Sequence, residues 1–371
     1  LDERVPHHIA VVGSNGKTST AHFIQRTLEG PCRTGLFTSP HLVSWTERLL
    51  LGGRPVADKD LIRELTRHLA LGNGETTGDL RFFDVLTIAS ESLMARDGIE
   101  LGIFEAGIGG RLDAVSVLAP ELTVLTSISL EHTDLLGDSS GDILREKLGI
   151  APAGGQVVLP RFEDESLNEV AEGFAARNRL VIHQIPLPPE APFLERNRRL
   201  AEAACRIASD LFPDVIERGA PIDTKSTTVP GRLERGAVDG VPYVCDVGHN
   251  PDAWHQALRE VRAAAVPPLF GVAGITRERD PAALARVIRD EIDFEQLITT
   301  RSLIRDSHPA ENLATAIGSP GTVVTASDHV DSAFEGAFAL AAREGGTVVI
   351  FGSVYLVADF MSWLGGARSR A

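Results

Sequence analysis

The 371-residue chain has few lysines, few cysteines and no long apolar run. No apolar stretch reaches the roughly 20 residues that a membrane-spanning helix needs. The three cysteines lie far apart, without CxxC or mixed Cys/His spacing, which indicates neither a disulfide framework nor a zinc cluster. The first residues run into an apolar segment without a charged leader and apolar core. We therefore expect no signal peptide, and a soluble, cytoplasmic protein.

Lysine is the scarce basic residue. Of 36 basic residues only four are lysine, namely Lys17, Lys59, Lys147 and Lys225, and 51 acidic residues bring the formal charge to −15. A surface of this sign repels nucleic acid and anionic lipid, so we expect neither as a partner. An anionic small molecule must then be captured by a local site.

Short β-rich apolar runs alternate with longer amphipathic stretches, a pattern typical of parallel α/β units. In the first half, predicted strands cover residues 8–12, 100–105, 122–128 and 156–159, and predicted helices cover 18–28, 83–96, 164–177 and 195–212. In the second half, predicted strands cover residues 241–246, 268–272, 296–299, 321–325 and 347–351, and predicted helices cover 251–265 and 281–291. We therefore predict an α/β domain at residues 1–217, a linker at 218–228 and a smaller, Rossmann-like α/β domain at 229–371.

The segment GSNGKTS, residues 13–19, follows the first predicted strand and opens a helix. In that context backbone N–H groups and a helix N-terminus bind phosphate. Gly16 permits close backbone approach, Lys17 can reach the terminal phosphates, and Thr18 or Ser19 can ligate Mg²⁺. The first glycine is closer to Gly16 than in the standard loop, so a plain glycine-rich turn is the alternative.

Three further residues carry possible chemistry. Glu105 ends a predicted buried strand before three glycines, where open α/β sheets place ligands, and could hold a Mg²⁺ bound to nucleotide phosphates. His132 follows another strand and could bind metal or transfer protons; the alternative is a histidine at a loop–helix junction. Lys147 lies in a helical stretch beside Glu146, and on its own it could equally be a surface lysine.

In order along the chain, several motifs resemble the Mur ligase superfamily, most closely its folylpolyglutamate synthase/dihydrofolate synthase branch. The matching segments are GSNGKTST, TSPHLV at residues 38–43, FEAGIGGRLDA at 104–114, SLEHTDLLGD at 129–138, REKLGI at 145–150, PGRLE at 230–234 and DVGHNP at 246–251. TSPHLV and the glycine-rich segment after Glu105 make a chance match implausible. The resemblance implies an N-terminal P-loop ATPase-type domain that binds ATP, and a C-terminal domain that closes on the nucleotide and the amino acid.

The resemblance also implies residue roles. It assigns ATP binding to Ser14, Asn15, Gly16, Lys17, Thr18, Ser19, Asn197, Arg232 and Asp246. It assigns two Mg²⁺ sites to Ser39, Glu105, His132 and Lys147, with a carbamate on Lys147, and catalytic roles to Lys147, His249 and Lys17. It assigns the wall of the acyl-substrate site to Arg81, Phe82, Phe83, Asp84, Leu112, Asp113 and Ala114.

The implied activity is an ADP-forming carboxylate–amine ligase that adds L-glutamate to a folate or dihydropteroate through an acyl phosphate, acting as a monomer. Three departures from the branch leave alternatives open: the loop reads GKTS, residues 274–280 lack the lysine of the branch's G-x-x-x-D-K-D, and residues 300–308 lack its Pro-Arg-Ala. The same chemistry on a non-folate acid of a specialised biosynthetic pathway is one alternative. A second alternative is a nucleotide-binding protein without ligase activity, and a third is a small-molecule kinase.

Overall fold

A computed structural model describes residues 4–71, 80–188, 190–217, 228–318 and 322–368. The chain divides into two compact units, residues 1–227 and 228–371. Both are α/β, as the sequence predicts. Residues 218–227 of the predicted linker lie outside the described residues. Within the described ranges, no helix is long and apolar enough to cross a membrane.

The N-terminal unit is built on an eight-stranded sheet in the order β4-β3-β2-β5-β1-β6-β7-β8. Its strands are β1 His7–Val12, β2 Thr34–Phe37, β3 Leu49–Leu51, β4 Arg54–Pro55, β5 Leu101–Glu105, β6 Leu122–Leu125, β7 Gln156–Pro160 and β8 Val181–Ile185. All pairs are parallel except those involving β3 and β4.

The helices of this unit are α1 Lys17–Leu28, α2 Asp58–Leu71, α3 Phe82–Arg96, α4 Thr133–Leu136, α5 Ser140–Leu148, α6 Glu165–Asn178 and α7 Phe193–Leu211, with 3₁₀ turns at Trp45–Arg48 and Ala114–Leu118. Central strands β1 and β5 are apolar and almost wholly buried, because helices cover both faces of a parallel sheet. Strand β1 lies between β5 and β6, so the segments that follow these three strands meet at one edge of the sheet.

The C-terminal unit has a six-stranded sheet in the order β13-β12-β11-β14-β10-β9. Its strands are β9 Glu234–Val238, β10 Val241–Asp246, β11 Leu269–Ala273, β12 Gln296–Thr299, β13 Val323–Ala326 and β14 Thr347–Phe351, with only β9 antiparallel. Its helices are α8 Pro251–Ala264, α9 Pro281–Glu291, α10 Ala310–Ile317, α11 Val330–Glu344 and α12 Val354–Arg368. The doubly wound order confirms the Rossmann-like prediction.

Predicted boundaries agree to within a few residues where the residues are described. The run 122–128 is strand only to Leu125, because the following hydroxyl-rich residues leave the sheet to contact the loop after β1. Residue 321 of the predicted strand 321–325 lies outside the described residues. Strands β2, β3, β4, β8 and β9 were not predicted: β2, β3 and β4 have at most four residues, and β8 and β9 are edge strands.

Candidate functional site

The loop after β1 has the geometry of a phosphate-binding loop. Gly16 caps α1 with φ +85°, a conformation that glycine adopts without strain. No side chain caps the helix N-terminus, so the amides of its first turn remain oriented toward a ligand. Gly16, Lys17 and Thr18 are half-buried and therefore reachable, whereas Ser14, Asn15 and Ser19 are buried.

Hydroxyl groups that follow β6 hold this loop in place. The Thr126 and Ser127 hydroxyls donate to the carbonyl oxygen of Asn15 at 2.6 and 3.0 Å, and the Asn15 amide donates to Ser127 Oγ at 2.9 Å. The Ser129 amide donates to Ser14 Oγ at 3.0 Å. Sequence reasoning missed these residues, although a hydroxyl cluster directly after a buried strand was a visible signal.

Asn197 of α7 contacts the same loop. A Cβ atom added at Gly16 would lie 2.4 Å from Asn197 Oδ1, so the amide packs directly on the glycine. Asn197 is 2% exposed, and its Nδ2 is a buried donor without a hydrogen-bond partner among the described residues. An unpaired buried amide N–H costs free energy, and a phosphate or ribose oxygen would remove that cost. The structure thus places Asn197 against the loop; its role in ATP binding stays a prediction.

Glu105, at the end of β5, connects two further predicted residues. Its carboxylate is 2% exposed; the Thr18 hydroxyl donates to Oε1 at 2.9 Å and the Ser39 backbone N–H donates to Oε2 at 3.1 Å. Glu105 and Ser39 follow the neighbouring strands β5 and β2, and Thr18 lies in the first turn of α1, so the sheet order places all three at one edge. A carboxylate beside a phosphate-loop hydroxyl is a donor set suited to Mg²⁺.

Lys147 is buried, not a surface lysine. Its Nζ donates to the carbonyl oxygen of Gly13 at 3.0 Å and to Glu131 Oε1 at 3.0 Å, and its side chain is 2% exposed. Burial, together with the nearby charge of Lys17, lowers the pKa of Lys147 to about 8, although Glu131 and Asp113 oppose the shift. Sequence reasoning selected His132 and missed its neighbour Glu131, which is the residue that contacts Lys147.

His132 lies where α4 begins, in a left-handed conformation with φ +46°. Its carbonyl oxygen accepts the amides of Leu135 and Leu136 at 2.8 and 2.9 Å, but its side chain does not cap the helix. The contacts described for this region do not join His132 to Lys147. Among the described residues, no group of three or more His, Cys, Asp or Glu side chains could hold a metal ion without other ligands.

The predicted substrate wall at residues 81–84 separates into structural and accessible parts. The Asp84 carboxylate accepts the Arg81 amide at 2.8 Å and so caps α3, while Phe83 packs on Phe37 with ring centroids 5.6 Å apart. Phe82 is 49% exposed and meets Trp45 edge-on at 5.1 Å. Trp45 was not among the predicted site residues.

Around Trp45, the His41 ring lies at 4.3 Å and the Arg48 guanidinium lies over the indole at 4.8 Å. Trp45 is itself 48% exposed. These groups form an accessible aromatic surface a few residues from Ser39 in sequence.

The other part of the predicted wall follows β5. Leu112 is 80% exposed and available for a ligand, and Ala114 is half-buried. Asp113 is buried, and one of its oxygens accepts the amides of Gly107 and Ile108 at 2.8 and 3.2 Å. Asp113 therefore shapes the glycine-rich loop from within.

In the C-terminal unit, Asp246 ends β10. The Leu233 amide donates to one carboxylate oxygen at 2.9 Å and the Gly248 amide to the other at 2.7 Å, which fixes the turn at the strand end. Burial raises the pKa of Asp246, while these hydrogen bonds and the positive charge of Arg232 oppose the shift. His249 Nδ1 donates to the carbonyl oxygen of Val247 at 3.3 Å, in the same turn. The unit thus brings Arg232, Asp246 and His249 to one strand end.

Two protein families match the chain. The family described as Mur ligase middle domain matches residues 11–178, and the family described as Mur ligase, glutamate ligase domain, matches residues 231–354. The first match contains the phosphate loop, Glu105 and Lys147, and the second contains Arg232, Asp246 and His249.

Similar proteins extend these matches over nearly the whole chain. Dihydrofolate synthase/folylpolyglutamate synthase of Escherichia coli is 28% identical over 391 residues, covering 98% of this chain and 88% of that protein. A probable bifunctional folylpolyglutamate synthase/dihydropteroate synthase of Halobacterium salinarum is 28% identical over 95% of this chain, which spans only 46% of that relative's length.

The solved structure of E. coli FolC in complex with DHPP and ADP superposes with a TM-score of 0.83 at 25% identity, covering 98% of this chain and 90% of that one. The structural superposition and the two domain matches point to the same group of proteins. The chain contains matches to both Mur ligase domain families, and it is similar along nearly its whole length to dihydrofolate synthase/folylpolyglutamate synthase proteins.

Proposed function

We propose that the protein is an ADP-forming ligase that joins L-glutamate to the carboxylate of a folate or dihydropteroate. The observation that carries the proposal is the buried Glu105 carboxylate, bound to the phosphate-loop hydroxyl of Thr18 and to the Ser39 amide. A buried carboxylate beside the loop after β1, inside the segment that matches the Mur ligase middle domain, supports a role for Glu105 in holding a metal next to a nucleotide.

Residues of the N-terminal unit fit a nucleotide. The uncapped N-terminus of α1 and the unpartnered Asn197 amide offer N–H donors, and Lys17 offers a positive charge. In the described structure Lys17 Nζ donates to the carbonyl oxygens of Gly13 and Ser14 at 2.9 and 3.2 Å, so it already lies over the loop. Arg232 and Asp246 are proposed as further nucleotide contacts.

The donor set also fits Mg²⁺. Magnesium keeps several waters and takes one or two protein carboxylates together with substrate phosphates, so it does not need a cluster of three acidic side chains. Glu105, with Ser39, would hold the first ion, and His132 and Lys147 are proposed for the second. Bound Mg²⁺ would supply positive charge that offsets the repulsion between the phosphates and the acyl carboxylate.

Lys147 suits a carbamate because only a neutral amine reacts with CO₂. With its pKa lowered to about 8, about a tenth of Lys147 is neutral at pH 7, against roughly one molecule in three thousand for an unperturbed lysine. The proposal is tested by ¹³C NMR with labelled bicarbonate. A carbamate signal is expected in the wild type and not in Lys147→Arg; a signal that persists in the variant would exclude Lys147 as its site.

The accessible Trp45–Phe82 surface fits an acyl substrate with a flat aromatic ring, which can stack on or pack edge-on against side-chain rings. The E. coli relative's structure contains DHPP and ADP, and that relative is named for folate substrates. We propose a folate or dihydropteroate as the acyl substrate of this protein, because of the aromatic surface and because of this similarity.

In the proposed reaction an oxygen of the acyl carboxylate attacks the γ-phosphorus of ATP, breaking the bond to the β–γ bridging oxygen and releasing ADP. The glutamate amine then attacks the acyl carbon, phosphate leaves and a proton is lost from nitrogen. Lys17 and Arg232 offset the negative charge that accumulates in the first step. His249 is proposed to act near the incoming amine.

The test incubates the protein with ATP, Mg²⁺ and L-glutamate, first with dihydropteroate and then with tetrahydrofolate. Free phosphate and a product heavier by one glutamyl unit are expected, and both should be lost in Glu105→Gln. Glu165→Gln, at an exposed position of α6, is the matched control and should retain activity. ATP-dependent phosphate release only with another acid would instead favour the non-folate alternative, and a stable phosphorylated product would favour a kinase.

Nucleotide binding without any ligation would favour a binding protein that has lost ligase activity. If the protein neither binds nucleotide nor catalyses ligation, the proposal is wrong. The monomeric state and the cytoplasmic location stay predictions.

A further inference from the structure

A second charged site lies in the N-terminal unit, away from the phosphate loop. A cavity of about 500 Å³ is lined by the β3–β4 hairpin, the first turns of α2 and the last turn of α3. Six charged side chains line it: Arg33, Arg54, Arg63, Arg96, Asp60 and Asp97. Four arginines around one cavity are a local concentration of positive charge in a chain with a formal charge of −15.

The sheet topology separates this cavity from the nucleotide loop. Arg33 directly precedes β2, and Asp97 lies four residues before β5. Strand β5 is parallel to β1, and β2 is parallel to β5, so all three strands run in the same direction. The phosphate loop follows the carboxyl end of β1. The cavity therefore lies at the amino edge of the sheet. The five residues of β5 alone span roughly 17 Å, so one small ligand cannot occupy both places.

Carboxylates position these arginines without using all their donors. Arg33 Nη2 donates to Asp97 at 2.7 Å, and Arg63 Nη2 donates to Asp60 at 2.7 Å. Each of these side-chain contacts uses one nitrogen of a guanidinium that carries five N–H groups, so donors remain for a ligand. Arginine held in this way is well suited to bidentate binding of carboxylate or phosphate.

The charge balance of the cavity is positive. Its lining residues include four arginines and two aspartates, a formal excess of two positive charges, and Glu64, outside the lining, pairs with Arg96. Arg54, beside the hairpin turn, forms no salt bridge to any carboxylate in the described part of the chain. Its charge is therefore available to an anion.

The remaining lining is apolar and includes Leu51, Val56 and Leu93. The volume lies within the range of pockets that take small organic ligands, and it is larger than a single inorganic anion needs. We propose that this cavity binds a small organic polyanion, with an apolar body and at least two carboxylate or phosphate groups. The site is independent of the ligase reaction proposed above.

Isothermal titration calorimetry tests the proposal with two probes, benzene-1,3,5-tricarboxylate and 1,4-benzenediphosphonate. One probe molecule is expected to bind per chain. Arg54→Ser should weaken binding about tenfold, the loss expected when one charge-assisted hydrogen bond is removed, and Arg54→Ser/Arg63→Ser should weaken it further. Arg343→Ser, at an exposed arginine of α11, is the matched control and should bind as the wild type does. The tighter probe identifies whether carboxylate or phosphate is preferred.

Lys17→Ala distinguishes this cavity from the phosphate loop. The proposal expects the probes to bind this variant unchanged. Binding lost in Lys17→Ala but retained in the double arginine variant would overturn it, as would no binding of either probe to the wild type. Equal binding of the neutral trimethyl ester of the tricarboxylate would also overturn it. Arg54→Ser removes no described salt bridge, so its thermal unfolding should match the wild type and a folding defect can be recognised.

Discussion

Replacing Lys147 by methionine isolates the free energy of burying one charge beside the phosphate loop. Burial and the charge of Lys17 lower the pKa of Lys147 from 10.5 to about 8. Between these two values the unfolded chain binds the proton and the folded chain does not. The unfolded state therefore holds more protons than the folded state over this window. Raising the pH disfavours the state with more protons, so the free energy of unfolding rises with pH.

The size of the effect follows from the shift. At about 1.4 kcal/mol per pKa unit, the protonated form costs the folded state about 3 kcal/mol below pH 8, and about 1 kcal/mol of this is recovered between pH 7 and pH 9. Methionine has a similar length and no charge. It also loses the hydrogen bonds to Gly13 and Glu131, but that loss stays nearly constant with pH because Glu131, whose pKa is lowered, remains ionised throughout.

Other buried groups also change the free energy of unfolding with pH, so the test compares two proteins that differ only at position 147. Burial raises the pKa of Cys32 to about 12, and it also raises the pKa values of Cys205 and Cys245. Each thiol ionises in the unfolded chain first, near pH 9, so the cysteines lower stability as the pH rises further. Within one protein, the contribution of the cysteines to the free energy of unfolding opposes that of Lys147. The contribution of the cysteines cancels when the unfolding free energies of the proteins with and without Lys147 are subtracted at each pH.

Urea unfolding followed by tryptophan fluorescence is the assay. Trp45 is the tryptophan of the N-terminal unit, so both proteins carry Phe at positions 254 and 363 to remove the other two signals. The unfolding free energy of the protein that retains Lys147 minus that of its Lys147→Met variant should rise by about 1 kcal/mol from pH 7 to pH 9. Lys59→Met, at an exposed position of α2, should give no such rise. A flat or falling difference for Lys147 would refute the reasoning.

Three further predictions address other residues. Gly16→Ala should weaken ADP binding about tenfold or more by calorimetry, because the new Cβ would lie 2.4 Å from Asn197 Oδ1 at a φ of +85°; unchanged affinity would contradict the fit of the loop. Dihydropteroate added without ATP should quench Trp45 fluorescence, and no quenching would remove the aromatic surface from the substrate site. Burial lowers the pKa of His7, but hydrogen bonds and charge from Asp214 and Glu121 outweigh burial and raise it above 6.5. The stabilisation by protonated His7 is therefore complete below pH 6.5 and lost as the pH rises through the raised value, so the Tm difference between wild type and His7→Gln should be larger at pH 5.5 than at pH 8.

The sequence predicts the central parallel strands β1 and β5 because burial on both faces demands continuous apolar runs. It does not predict β2, whose four residues TGLF contain a glycine and carry no period of their own. That strand becomes recognisable only through its pairing with β5, which is a contact between residues more than sixty positions apart.

The candidate site divides in the same way. Glu105 could be predicted because a carboxylate directly after a buried strand has a local signature. The contact between Glu131 and Lys147 could not, because the two residues are joined only by the packing of α5 against the loop after β6. The arginines of the cavity are likewise spread over residues 33–96, and nothing in their spacing indicates that they face one another.

Both lysines of the candidate site donate to one atom, the carbonyl oxygen of Gly13, at 2.9 and 3.0 Å. Burial, and after it the repulsion between these two cations, lowers the pKa of Lys147. Arginine at position 147 would stay charged at any working pH and would leave two permanent cations facing each other in a buried space. Lysine, unlike arginine, can release its proton at this position, which gives a physical reason for one of the four lysines in a chain with 32 arginines.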